Sequence, residues 1–125
     1  MLRQSRIPAL NQRIKDSLMA SDSRATSYSL RLPESLANQV RHTCEGKMSV
    51  NAYLNQLIEK NLNESRYFSV YEYADLQKLY QGEPQVRMIL RLDITLKERL
   101  TLKSITHKVK VRAYIQLIAH KDQKN

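Results

Sequence analysis

Two sets of alternating residues carry the chemistry open to this chain. Ser27, Ser29 and Arg31 are spaced two apart, and sixty residues later Arg87, Ile89 and Arg91 repeat the spacing. Side chains two apart share one face of a strand. An arginine on such a face can give two hydrogen bonds to a guanine edge. A serine there can donate or accept, and an isoleucine can meet a thymine methyl, or, for Ile89, the chain's own N-terminal arm. Nothing comparable points to catalysis. His42, His107 and His120 are scattered without metal-ligand spacing, so no metal is assigned and no cofactor is implied. No nucleophile–base pair and no phosphate-cradling glycine loop occur in a chain with only two glycines, so an enzyme is not expected.

The elements that must hold these residues are themselves repeated. SYSLRLPESLANQV around Leu30 returns as RMILRLDITLKERL around Leu90, with Leu30, Arg31, Leu32 and Leu36 matching Leu90, Arg91, Leu92 and Leu96. Val50, Ala52 and Tyr53 return as Val111, Ala113 and Tyr114. In the first copy Tyr28, Leu30 and Leu32 alternate with the polar set, the period of a half-buried strand. Pro33 stops that strand and suits the first position of a helix carrying Leu36, Val40 and Cys44. Gly46 is placed to end the helix in a left-handed turn. Ser49 can cap a second helix with Val50, Tyr53, Leu54, Leu57 and Ile58 inward. In the second copy Met88, Leu90 and Leu92 face inward. Asp93 can cap the next helix, or Thr95 can with Glu98 completing a capping box. Leu96 and Leu100 extend that helix, and Val111, Tyr114, Ile115 and Ile118 line the last one. Tyr53 and Tyr114 read as core anchors.

Four regions follow: a basic arm over 1–25, a first repeat over 26–62, an acidic aromatic connector over 63–85, and a second repeat with a short tail over 86–125. The net charge is +9, and the second repeat alone carries ten basic and three acidic residues. Such a surplus points to a polyanion, nucleic acid ahead of membrane. In the arm Leu10, Ile14 and Leu18 form one narrow helical stripe, and Arg3, Arg6, Arg13 and Lys15 leave a DNA contact open beside a solubilising role. In the connector Tyr73, Leu76, Leu79 and Tyr80 predict a short helix over the core. Cys44 is the single cysteine, at apolar spacing, which fits a buried side chain in a reducing cytoplasm. No apolar run reaches the length of a membrane span, and the start lacks a signal-peptide core, so a cytoplasmic protein is expected.

One repeat of about forty residues is too small to stand alone, and a single strand leaves its edges unpaired. Two copies solve both problems by pairing their strands antiparallel over four helices. The expected fold is mostly α with a two-stranded antiparallel β-ribbon whose outer face shows Ser27, Ser29, Arg31, Arg87, Ile89 and Arg91. Such a ribbon fits the major groove of B-form DNA.

The segment SYSLRLPESLANQVRHTCEGKMSVNAYLNQLIEKNL resembles the ribbon–helix–helix family of Arc- and MetJ-like repressors. The likeness lies in a strand ending in R-x-P, a helix, a glycine turn and a serine opening the second helix. It covers 27–62 well; 86–121 lacks the proline, the turn glycine and the serine. Two motifs in one chain are similar to the TraY-like tandem accessory proteins of conjugative relaxosomes, in architecture only. The resemblance implies a tandem ribbon–helix–helix forming an intramolecular pseudo-dimer. It gives base reading to the six outward residues and phosphate binding to Ser49 and Val50, and to Lys110, Val111 and Arg112 in the second copy. Free N–H groups and the helix dipole favour an anion at those helix starts.

The resulting expectation is a sequence-specific protein for double-stranded DNA, a transcriptional repressor with an asymmetric site, further copies of itself filling adjacent subsites. A rival use in the same class is a relaxosome accessory protein that bends an origin of transfer in conjugation and meets a relaxase. A rival of another class is an antitoxin or protein-binding adaptor, against which stands the short stretch after the second repeat.

Overall fold

A computed structural model describes residues 25–124. The expected stripe and basic residues of the arm, through residue 24, lie outside them. Strand β1 (Ala25–Pro33) leads into α1 (Glu34–Cys44) and α2 (Val50–Asn63). Helix α3 (Val70–Leu79) lies in the connector, and β2 (Gln85–Asp93), α4 (Ile94–His107) and α5 (Val111–Lys124) repeat the first order. The described residues are mostly helical, and the two strands among them form one antiparallel ribbon within the chain.

Alternation along each strand produces the ribbon's two faces. Leu30, Leu32, Leu90 and Leu92 are buried, Tyr28 and Met88 half-buried, and the residues between them exposed. Both repeats feed one core: Leu36, Val40, Leu54 and Ile58 meet Leu100, Tyr114, Ile115 and Ile118. Fully burying a leucine or isoleucine is worth about 1.5–3 kcal/mol, so this shared core is what holds the ribbon to the helices.

Local signals mostly act where the residues stand. The Ser49 hydroxyl accepts from the Ala52 N–H at 3.0 Å, capping α2. Asp93 caps α4 through the Thr95 N–H at 2.9 Å, so of the two caps open in the sequence the aspartate is used. Gly46 takes φ +71, just past the end of α1. The glycine-free turn of the second copy makes the same reversal with Lys108 at φ 54. Pro33 is the last strand residue and occupies the N-cap, one position before the helical site expected for it. Proline offers no capping side chain. The Glu83 carboxylate does that work, accepting from the Ser35 N–H at 3.0 Å and the Ser35 hydroxyl at 2.9 Å. The end of the connector thereby pins the start of α1.

The connector helix forms as expected, with a different inner face. Phe68, Leu76 and Tyr80 are buried, whereas Leu79 is exposed. A capping box sets where α3 starts: the Ser69 hydroxyl accepts from the Glu72 N–H, and the Glu72 carboxylate accepts from the Ser69 N–H. Helix α3 is tied to α5 by Lys121–Glu72 at 2.6 Å and by the Tyr80 hydroxyl on His120 Nδ1 at 2.8 Å. With that start and that tie, Leu76 faces α5 and Leu79 turns to solvent. The Lys121 ammonium and the Ser69 N–H hold Glu72 below the usual carboxylate range, while burial pushes His120 down, helped by Lys124 and Lys121.

Candidate nucleic-acid interface

The pairing register decides which side chains stand together. Ser29 lies opposite Ile89 at the centre, with Ser27 opposite Arg91 and Arg31 opposite Arg87. All six are exposed on one face of the ribbon. Arg31 and Arg87 therefore face each other as like charges across the ladder, an arrangement that costs stability in an isolated ribbon. Arg87 leans along the strand instead, and its Nε donates to the Ser29 hydroxyl at 2.9 Å. Ile89 keeps 55% of its surface in solvent at the middle of the row. An isoleucine there gains little from the core.

Three amides position the arginines, and the sequence reading missed all of them. Asn51 Oδ1 accepts from the Arg91 N–H at 2.7 Å, and Asn55 Nδ2 donates to the Arg91 carbonyl at 2.9 Å. On the other flank Gln116 Nε2 donates to the Arg31 carbonyl at 2.6 Å. A two-stranded ribbon has open outer edges, and these side chains close them beside the two outward arginines that recur between copies. Asn55 and Gln116 are sixty-one residues apart, the same offset as Tyr53 and Tyr114, so the signal was present in the repeat.

The two helix starts flank the ribbon. At α2 the Ser49 cap leaves the N–H groups of Val50 and Asn51 without an intrahelical acceptor. No acidic residue stands in the first turn of α2 or of α5. At α5 the helix opens at Lys110, whose carbonyl accepts from the Tyr114 N–H at 3.0 Å; Lys110 and Arg112 are exposed and Val111 is half-buried. Arg112 reaches the neighbourhood of Tyr28 on β1, where burial raises the phenol's pKa and the arginine charge opposes it. Arg41, at the end of α1, lines an open pocket with Val50, Asn51 and Ile89 and adds a cation to the α2 flank. It was not singled out from the sequence, where a basic residue near a helix C-terminus reads as a dipole partner. The positive potential at α2 thus comes from N–H groups and Arg41, and at α5 from Lys110 and Arg112.

Among the described residues no group of three or more histidine, cysteine, aspartate or glutamate side chains could hold a metal. No helix among them is long and apolar enough to cross a membrane. Cys44 is buried, and burial raises its thiol pKa. No protein-family model matches this chain, and no curated protein or solved structure matches it either.

Proposed function

We propose that this chain is a sequence-specific protein for double-stranded DNA, built as two tandem ribbon–helix–helix motifs that form a pseudo-dimer within one chain. The ribbon enters the major groove, and the starts of α2 and α5 grip phosphates on either side. The observation that carries this reading is the outward row of Ser27, Ser29, Arg31, Arg87, Ile89 and Arg91 on a ribbon of a chain with net charge +9. An exposed isoleucine amid arginines, two of them opposed, is a poor surface for water and a good one for base edges.

The register supports the pseudo-dimer. Ser29 and Ile89 are equivalent in the sixty-residue repeat and also directly opposed, so a pseudo-twofold axis runs between them. The same axis exchanges Ser27 with Arg87 and Arg31 with Arg91. Two arginines are thus common to both halves, while serine against arginine and serine against isoleucine distinguish them. The subsite read by one chain is therefore not palindromic. The use we propose is repression of transcription at the bound site.

Selection of bound sequences from random duplex tests this. The expected result is one asymmetric subsite, with affinity falling steeply as salt rises. Arg91→Ala should cost about 1–3 kcal/mol on that subsite and little on random DNA. Equal binding to all duplexes by both proteins would refute base reading. A footprint over a promoter supports repression, and one confined to an origin of transfer assigns the protein to a relaxosome instead.

A further inference from the structure

The two copies of the repeat can be compared place by place. In one half of the core the Thr43 hydroxyl of α1 donates to Gln123 Oε1 at 2.9 Å. The Tyr53 hydroxyl of α2 donates to the Asp122 carboxylate and accepts from Gln123 Nε2 at 3.0 Å. The end of α5 thus closes that half with an amide and a carboxylate. In the other half Lys103 stands for Thr43, Tyr114 for Tyr53, and Asn61 and Leu62 for Asp122 and Gln123. The carboxylate is gone. The Tyr114 hydroxyl is buried with no hydrogen-bond partner among the described residues.

Cations gather there instead. Arg99, Leu102, Lys103 and His107 share one side of α4 and line an open groove with Leu62 and Ser65 at the end of α2. The Lys103 ammonium stands 5.5 Å over the Tyr114 ring and donates to the Arg66 carbonyl. The charges of Arg66 and Arg99 bear on the Tyr114 phenol. Arg99 itself donates to the neutral Asn63 amide at 2.8 Å. Among the described residues no carboxylate forms an ion pair with Arg99 or Lys103. The rim is apolar. Leu102 and Ile105 are 65% and 69% exposed, and Tyr67, 69% exposed, stacks on His107 at 5.1 Å.

We propose that this groove docks an acidic, apolar segment of a partner protein, its carboxylates on Arg99 and Lys103 and an apolar side chain against Leu62 and Leu102. The partner's carboxylate gives the second half what Asp122 gives the first. Charge and the rim together select this occupant. The chain's own residues 1–25 carry five basic and two acidic groups and are repelled. A nucleic-acid backbone answers the cations but leaves the apolar rim uncovered. The groove lies about 20 Å along α2 from the Ser49 start beside the ribbon, so the docking does not depend on the DNA-binding reading.

The test starts by panning the full chain against a displayed library of random peptides. Sequences that interleave Asp or Glu with Leu, Ile or Phe should be enriched. The most enriched peptide, made synthetically, is then titrated by fluorescence anisotropy. Arg99→Gln and Lys103→Met should each weaken it by about tenfold. Gln39→Ala, at the place on α1 that matches Arg99, should leave it unchanged. Arg99→Glu should abolish binding of this peptide and favour one whose acids are replaced by lysine. Leu102→Gln should also weaken binding, and its exposed position reads the groove even if an arginine variant fails to fold. Enrichment without acidic residues, or binding untouched by these variants, overturns the proposal. Displacement of the peptide by random duplex, with duplex affinity falling in Arg99→Gln, assigns the groove to DNA and overturns it too. So do dimers in sedimentation that Arg99→Glu dissolves, since they assign it to another copy.

Discussion

Replacing Arg31 with threonine should move stability and DNA affinity in opposite directions. Arg31 lies directly opposite Arg87 on the exposed face of the ribbon. Two unit charges about 7 Å apart in water repel by about 0.6 kcal/mol, within the range of about 0.2–1 kcal/mol for cross-strand pairs. Threonine removes the repulsion, suits a strand, and leaves the Gln116 bond to the residue 31 carbonyl in place. The free protein should gain about 0.5 kcal/mol, a rise of about 2 °C in melting temperature for a domain of this size. The gain should shrink in 0.5 M salt, where the screening length is about 4 Å. Affinity for the selected subsite should meanwhile fall by about 1–3 kcal/mol, because threonine is too short to replace a bidentate guanine contact. Thermal melts at two salt concentrations, paired with a binding titration, read both quantities. A variant that is less stable and binds as well as wild type would refute the reasoning, since Arg31 would then be a packing residue.

Three further outcomes follow from the fold. Tyr114 is 2% exposed and its hydroxyl has no hydrogen-bond partner among the described residues, with burial pushing its pKa up to about 12. Tyr114→Phe should therefore be neutral or stabilising by up to about 1 kcal/mol in urea denaturation, and a loss above that would show the hydroxyl is paired. Lys108→Gly relieves a left-handed lysine at φ 54 and should stabilise by about 0.5–1 kcal/mol; a loss would mean the side chain is needed. Acid should loosen α3 from α5. Both Glu72 and His120 have depressed pKa values in the folded protein, so the unfolded chain binds protons more readily. The stability from His120 is present above the ordinary histidine range and is lost as pH falls through it, and that from Glu72 is lost lower, as pH falls below the ordinary carboxylate range. Hydrogen exchange in α3 should accelerate in those two steps, and His120→Gln should remove the first.

The strands, the four repeated helices and the outward row were legible because period and repetition mark them. Leu30 and Leu90 announce both a face and a partner. What escaped the sequence were contacts to backbone. Asn51, Asn55 and Gln116 are polar residues near helix starts, and their partners are main-chain groups of Arg91 and Arg31, which no residue type records. Glu83 at the head of α1 escaped for the same reason. The expectation for Leu79 failed because helical spacing fixes neighbours on a face but not the helix's rotation, which the tie to α5 sets. The capping box at Ser69 and Glu72 was visible in the sequence and would have fixed where that helix starts.

The ribbon closes within one polypeptide, so assembling it is a first-order event. Where two separate chains must each lend a strand, the folded fraction falls on dilution. Here the folded fraction is independent of abundance. If the proposed DNA reading holds, the occupancy of a single subsite should then rise in simple proportion to protein at low concentration, with no threshold set by assembly.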